Sequence, residues 1–159
     1  LYFTYCSEMW NQLDALTGLL NQNSYLNRTA EMRRSGGLLI VFDVDNFKQV
    51  NDCYGHLQGD ACLAAIAACL KKAYACCGYC YRIGGDEFCV LLKNTAKEAA
   101  CAEEFLRQLE KKRRELTFLP TVSCGSAPLS GEDVVAVKDQ ADRAMYHHKK
   151  ARKEREAAK

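Results

Sequence analysis

The chain has 159 residues, enough for one domain with its own core. Its formal net charge is +2, with 26% charged and 48% hydrophobic residues, an ordinary globular balance without the basic excess that a nucleic-acid groove needs. The longest apolar runs, Leu38 to Phe42 and Ala61 to Leu70, are far shorter than the roughly 20 residues of a membrane-spanning helix, and no signal-peptide pattern is visible. The ten cysteines fall mostly at apolar positions, Cys62 and Cys69 on a helical face, Cys89 and Cys124 in strands. Buried free thiols in a reducing compartment are expected, not a disulfide framework. Cys76-Cys77-Gly78-Tyr79-Cys80 contains a C-x-x-C, but no second pair stands at zinc-ribbon spacing.

Leu1 to Trp10 is aromatic-rich and lacks turn residues, so residues 1–13 are expected to end a connecting helix from an upstream module. The chain begins with Leu1, not Met, and is expected to be a piece of something longer. Gly18 breaks that helix, and Asn21 can cap the next, Ser24 to about Arg34. Leu38 to Val44 is a nearly continuous branched run that predicts a strand buried on both faces. It ends at Asp43-Val44-Asp45, and functional carboxylates favour strand ends where a crevice opens. Asn46 to Asp52 predicts a short helix with Phe47 and Val50 inward. After a turn at Tyr54-Gly55-His56, Gly59-Asp60 opens a long helix burying Cys62, Leu63, Ile66, Cys69 and Leu70.

Cys80 to Ile83 and Phe88 to Leu92 read as two strands joined through Gly84-Gly85-Asp86-Glu87, with positive φ expected at the glycines. The missing Cβ atoms would let a polyanion lie on the backbone beside two acids, and acids beside phosphate imply a divalent cation. Thr95 to about Leu116 predicts an amphipathic helix with Ala99, Ala102, Phe105, Leu106 and Leu109 inward. Phe118 to Ala127 carries another strand, and Glu132 to Lys159 is helical. The fold class is therefore α/β, a central mixed sheet of about five strands flanked by helices, with the acidic turn on a hairpin.

Several motifs in order resemble the GGDEF domain of bacterial diguanylate cyclases. They are Asp14-x-Leu16-Thr17-Gly18-Leu19-x-Asn21, the segment from Asp43 through Phe47-Lys48, Asn51-Asp52 and Tyr54-Gly55-His56 to Gly59-Asp60, and Arg82-x-Gly84-Gly85-Asp86-Glu87-Phe88. Ser123-x-Gly125 and Ala141-Asp142-x-Ala144-x-Tyr146-x-x-Lys149 complete the set. The resemblance implies a palm-like catalytic domain over residues 14–159. It also implies condensation of two GTP into cyclic di-GMP and pyrophosphate by attack of a 3′-hydroxyl on an α-phosphate. Such chemistry suits two Mg²⁺ (or Mn²⁺) ions roughly 4 Å apart.

By resemblance, Asp43, the Val44 carbonyl and Asp86 hold the metal, and Asp86 or Glu87 accepts the proton. Asn51 and Asp60 choose the base, while Phe47, Lys48, His56, Gly84, Gly85, Lys149 and Lys153 line the rest of the substrate site. Asp142 and Tyr146 are expected near Lys149 on one helical face. Each domain would hold one GTP, so a homodimer set by the upstream sensory or dimerising module is expected. A cytoplasmic location is expected, with any membrane anchor elsewhere in the full-length protein.

Three departures stand out. Ala75 and Gly78 replace the Arg and Asp of the family's product-binding inhibitory site, Gln22 stands where an arginine is common, and Arg152-Lys153 replaces Gly-Arg. The alternative reading is a catalytically silent GTP-binding domain that regulates a neighbour.

Overall fold

The computed structural model describes residues 11–131 and 133–159, together with Leu1 and Ser7. The connecting helix expected over residues 1–13, and the expected helix start at Glu132, fall largely outside these. Four strands, β1 (Leu38–Val44), β2 (Gly78–Arg82), β3 (Glu87–Leu92) and β4 (Val122–Pro128), form one sheet in the order β2-β3-β1-β4. Every pairing in it is antiparallel, so the expected mixed sheet of about five strands is corrected to four antiparallel ones. Among the described residues the parallel element is a single bridge of Leu20 to Tyr81 on the β2 edge.

β1 is buried along its length except at Asp43, which is part-buried, because helices cover both faces of the sheet. Its even-numbered residues, Leu38, Ile40, Phe42 and Val44, join one apolar cluster with α3 (His56–Tyr74) and α4 (Glu98–Glu115). Leu39 and Val41 join the other, with α1 (Gln22–Met32) and α5 (Val134–Ala157). The period-two alternation of a strand thus sorts a uniformly apolar run into two cores. Asp43 continues the odd-numbered series, which directs it to the side of α5.

Asn21 caps α1, its side chain accepting from the Ser24 N–H at 3.1 Å. α2 (Phe47–Tyr54) follows β1 after a sharp turn at Asn46, which sits at φ 53, a left-handed conformation that asparagine tolerates. Gly55, at φ 86, separates α2 from α3. α3 begins at His56, three residues before the expected Gly59. In α4 the buried stripe is Cys101, Phe105 and Leu109. Leu106, expected inward, is 61% exposed, and Ala99 is exposed too, since both lie off the i, i+4 line of that stripe.

Candidate active site

The residues that could do chemistry converge at one end of the sheet, where β1 stops, β3 starts and α5 passes over. Asp43 lies opposite Glu87 in the β1–β3 ladder. One step further, the Val44 N–H donates to the Asp86 carbonyl at 3.1 Å, so the two strand ends are stitched together there.

The signature loop differs from expectation in one respect. Neither Gly84 nor Gly85 adopts positive φ. The connection runs over four residues, Ile83 to Asp86, and a four-residue loop can turn without left-handed backbone. It is closed instead by hydrogen bonds: the Ile83 and Gly84 N–H groups both point to the Glu87 carbonyl, at 3.0 and 3.3 Å. The Arg82 guanidinium donates to the Gly85 carbonyl at 3.2 and 2.8 Å. An added Cβ at Gly85 would meet nothing within 4 Å, so that stretch of backbone is open to an approaching ligand.

Arg82 also grips Asp14, at 3.2 Å to both carboxylate oxygens. Asp14 accepts in addition from the Thr17 N–H and hydroxyl, at 2.9 and 2.7 Å. Burial pushes its carboxyl up, but the Thr17 and Arg82 bonds outweigh that and hold it below its ordinary value. The N-terminal motif therefore braces the signature loop through one arginine, a link that residues 68 positions apart do not announce in sequence.

α5 supplies the positive side of the site. It packs directly on β4 because Gly125 has no Cβ; one there would lie 2.2 Å from the Met145 nitrogen and 2.3 Å from the Ala141 carbonyl. From this seat Lys149 reaches Asp43 at 3.1 Å and Asp45 at 3.3 Å. Arg152 pairs with Asp45. Asp45 is 3% exposed and also accepts from the Thr121 and Ser123 hydroxyls at 2.7 and 2.8 Å. Burial pushes Asp45 up, yet these donors together hold it below its ordinary value. For Asp43 burial prevails, reinforced by Asp86 and Asp45 and opposed by Lys149, and its carboxyl is raised.

The two acids of the signature are sorted by their partners. Glu87 is paired with Lys138 at 2.9 Å, and Lys138 also reaches Asp142 at 2.9 Å. Asp142 thus serves Lys138 rather than Lys149, and Tyr146 stands 65% exposed. Among the described residues the Asp86 carboxylate has no ion pair or hydrogen bond, and no group of three or more His, Cys, Asp or Glu side chains is gathered for a metal. The expected ligand set has two carboxylates and a carbonyl, all of them hard oxygen donors of the kind Mg²⁺ takes.

The second half of the site lies on α2 and α3. Gly59 faces Asn51 so closely that a Cβ would fall 1.9 Å from Asn51 Oδ1 and 3.3 Å from Phe47 Cζ. Asn51 Oδ1 is buried without a hydrogen-bond partner, and such an acceptor costs free energy until something donates to it. Asp60 follows Gly59 and is exposed, as are Lys48, His56 and Lys153, which make no side-chain bonds among the described residues. Ala75 and Gly78 border a groove of about 390 Å³ that also includes Cys76, Cys77 and Lys93. Lys138, Thr121 and the Asp14–Arg82 brace escape sequence reasoning, as does the pairing of Arg152 with Asp45, although the Gly-Arg departure marked Arg152 itself.

A four-stranded antiparallel sheet under helices, with an acidic hairpin beside a second strand-end carboxylate, defines a palm-like cyclase fold. The profile of the family described as "Diguanylate cyclase, GGDEF domain" matches residues 11–155, and the chain belongs to that family. It is 38% identical over 160 residues to diguanylate cyclase DgcP of Pseudomonas aeruginosa, covering 89% of this chain and 23% of that protein. It is also 36% identical over 149 residues to the cyclic di-GMP phosphodiesterase PdeR of Escherichia coli, covering 84% and 22%. The chain thus spans about a quarter of the length of these relatives. A crystal structure of the coiled coil and GGDEF domain of DgcB from Caulobacter crescentus in complex with c-di-GMP superposes with TM-score 0.82. That alignment is at 25% identity and covers 94% of this chain and 86% of that one.

Proposed function

We propose that this domain condenses two GTP molecules to cyclic di-GMP. The observation that carries the reading is the intact loop from Gly84 to Phe88 with an uncommitted Asp86 beside Asp43, whose carboxyl feels the Asp86 charge. Asp43, Asp86 and the Val44 carbonyl would hold Mg²⁺, which when bound neutralises triphosphate charge and acidifies the attacking hydroxyl. Lys149, already beside Asp43, would serve the terminal phosphates. Asn51, with its unpartnered acceptor, and Asp60 would read the guanine edge. The exposed backbone at Gly85 would let the nucleotide lie close. Since one domain offers one such site, the product requires two domains facing one another.

PdeR shows that this family also occurs in proteins named for another activity, so the silent GTP-binding domain is the reading to be excluded. The test is incubation of the protein at high concentration with GTP and Mg²⁺, with products resolved by chromatography and Asp86→Ala alongside. The parent is expected to make cyclic di-GMP and the variant none above background. GTP bound but unconverted, even by a tethered pair of domains, would select the silent reading.

A further inference from the structure

Arg152 stands where the family resemblance leads one to expect glycine. α5 runs unbroken through it to Ala157, and its guanidinium, not Lys153, turns into the site. Arg152 Nη2 pairs with Asp45 Oδ2, and its Nε is buried without a hydrogen bond, 3.7 Å from Glu156 Oε1. On the other side of Asp45, Lys149 is divided between two carboxylates, 3.1 Å from Asp43 Oδ2 and 3.3 Å from Asp45 Oδ1.

We propose that Arg152 is a positioning residue of the nucleotide site, neutralising the buried Asp45 so that Lys149 is free to leave it and follow the triphosphate. This rests on the reading of the site as one for GTP. Asp45 has a 4% exposed side chain, and a charge so enclosed requires a cationic partner. Were Lys149 its sole cation, moving that lysine to a phosphate would strand the carboxylate. With Arg152 in place, together with Thr121 and Ser123, Asp45 remains satisfied when Lys149 departs. The same contacts occupy both Asp45 oxygens, which keeps this acid out of competition with Asp43 for a cation.

The experiment compares equilibrium binding of a non-hydrolysable GTP analogue and of GMP, both with Mg²⁺. The proteins are the parent, Arg152→Ala, Arg152→Lys and the double variant Arg152→Ala with Asp45→Asn, each with its unfolding midpoint. Arg152→Ala is expected to weaken the GTP analogue about tenfold and GMP less than about twofold, since GMP lacks the terminal phosphates that Lys149 would serve. Arg152→Lys should recover most of the loss. So should the double variant, because it removes the charge that traps Lys149.

Equal losses for both ligands, or no loss, in a folded Arg152→Ala protein would overturn the proposal. If Arg152→Ala does not fold, the double variant carries the test: near-parent affinity for the GTP analogue supports the proposal and weak affinity overturns it. Failure of the parent to bind either ligand would overturn the nucleotide reading, and the role of Arg152 with it.

Discussion

If the proposed function holds, Asp60 and Asn51 would divide the work of choosing a base by different physics. A carboxylate can accept from guanine N1–H and N2–H₂ together, whereas adenine offers an acceptor at N1 and would cover Asp60 without pairing it. Leaving a charge covered and unpaired costs several kcal/mol, roughly the discrimination that a polar site can achieve. Asp60→Ser is therefore expected to lower the preference for GTP over ATP at least about tenfold, read by competition binding. Unchanged preference would move base recognition elsewhere. Asn51 owes its position to its neighbour, since Gly59 alone leaves room for its amide. That glycine is visible in sequence as a motif position, but its reason, a side chain from another helix lying on it, is not.

The seam between α5 and β4 holds the positive half of the site in register with the acids. Gly125→Ala would drive a Cβ into the Met145 nitrogen and the Ala141 carbonyl, backbone that cannot step aside. Overpacking of this kind costs about 1–3 kcal/mol or more, and the variant is expected to show a lower unfolding midpoint together with weaker GTP binding, as Lys149 and Arg152 move off Asp43 and Asp45. The Asp14–Arg82 brace makes a prediction of its own. Asp14 is held below its ordinary 3.8 in the folded protein, so the stability it contributes is present above that value and is lost as pH falls through the folded one. Acid unfolding followed by circular dichroism should be less steep below about pH 4 in Asp14→Asn, which has no such proton to take up. The elements themselves are largely legible. β1 is marked by a run of branched residues, and the hairpin by two strands around glycines. What stays hidden is rotational phase, as in the stripe of α4, and every ion pair between distant residues, because neither periodicity nor turn chemistry encodes which helix face will meet which strand end.

On the proposed function, a domain with one nucleotide site and a two-nucleotide product would depend on its own concentration. If the proposed function holds, cyclic di-GMP formed per domain is expected to rise in proportion to protein concentration in the dilute range, and to become independent of it when two copies are tethered, as product chromatography over a dilution series would show. Product added to such a reaction should not inhibit through the groove at Ala75 and Gly78, which bring no charged side chain to it. The ladder between β1 and β3 has a consequence for tolerance to change. Six consecutive pairs, Leu38 with Leu92 through Asp43 with Glu87, set where Asp43 points. Deleting one residue from the middle of β1 would shift all that follow by one position and exchange the two faces, turning an acid toward the apolar layer of α3 and α4 and a valine toward Lys149. Conservative substitutions along this strand should be survivable, whereas a change in its length should not, so the number of residues in β1 matters as much as their chemistry.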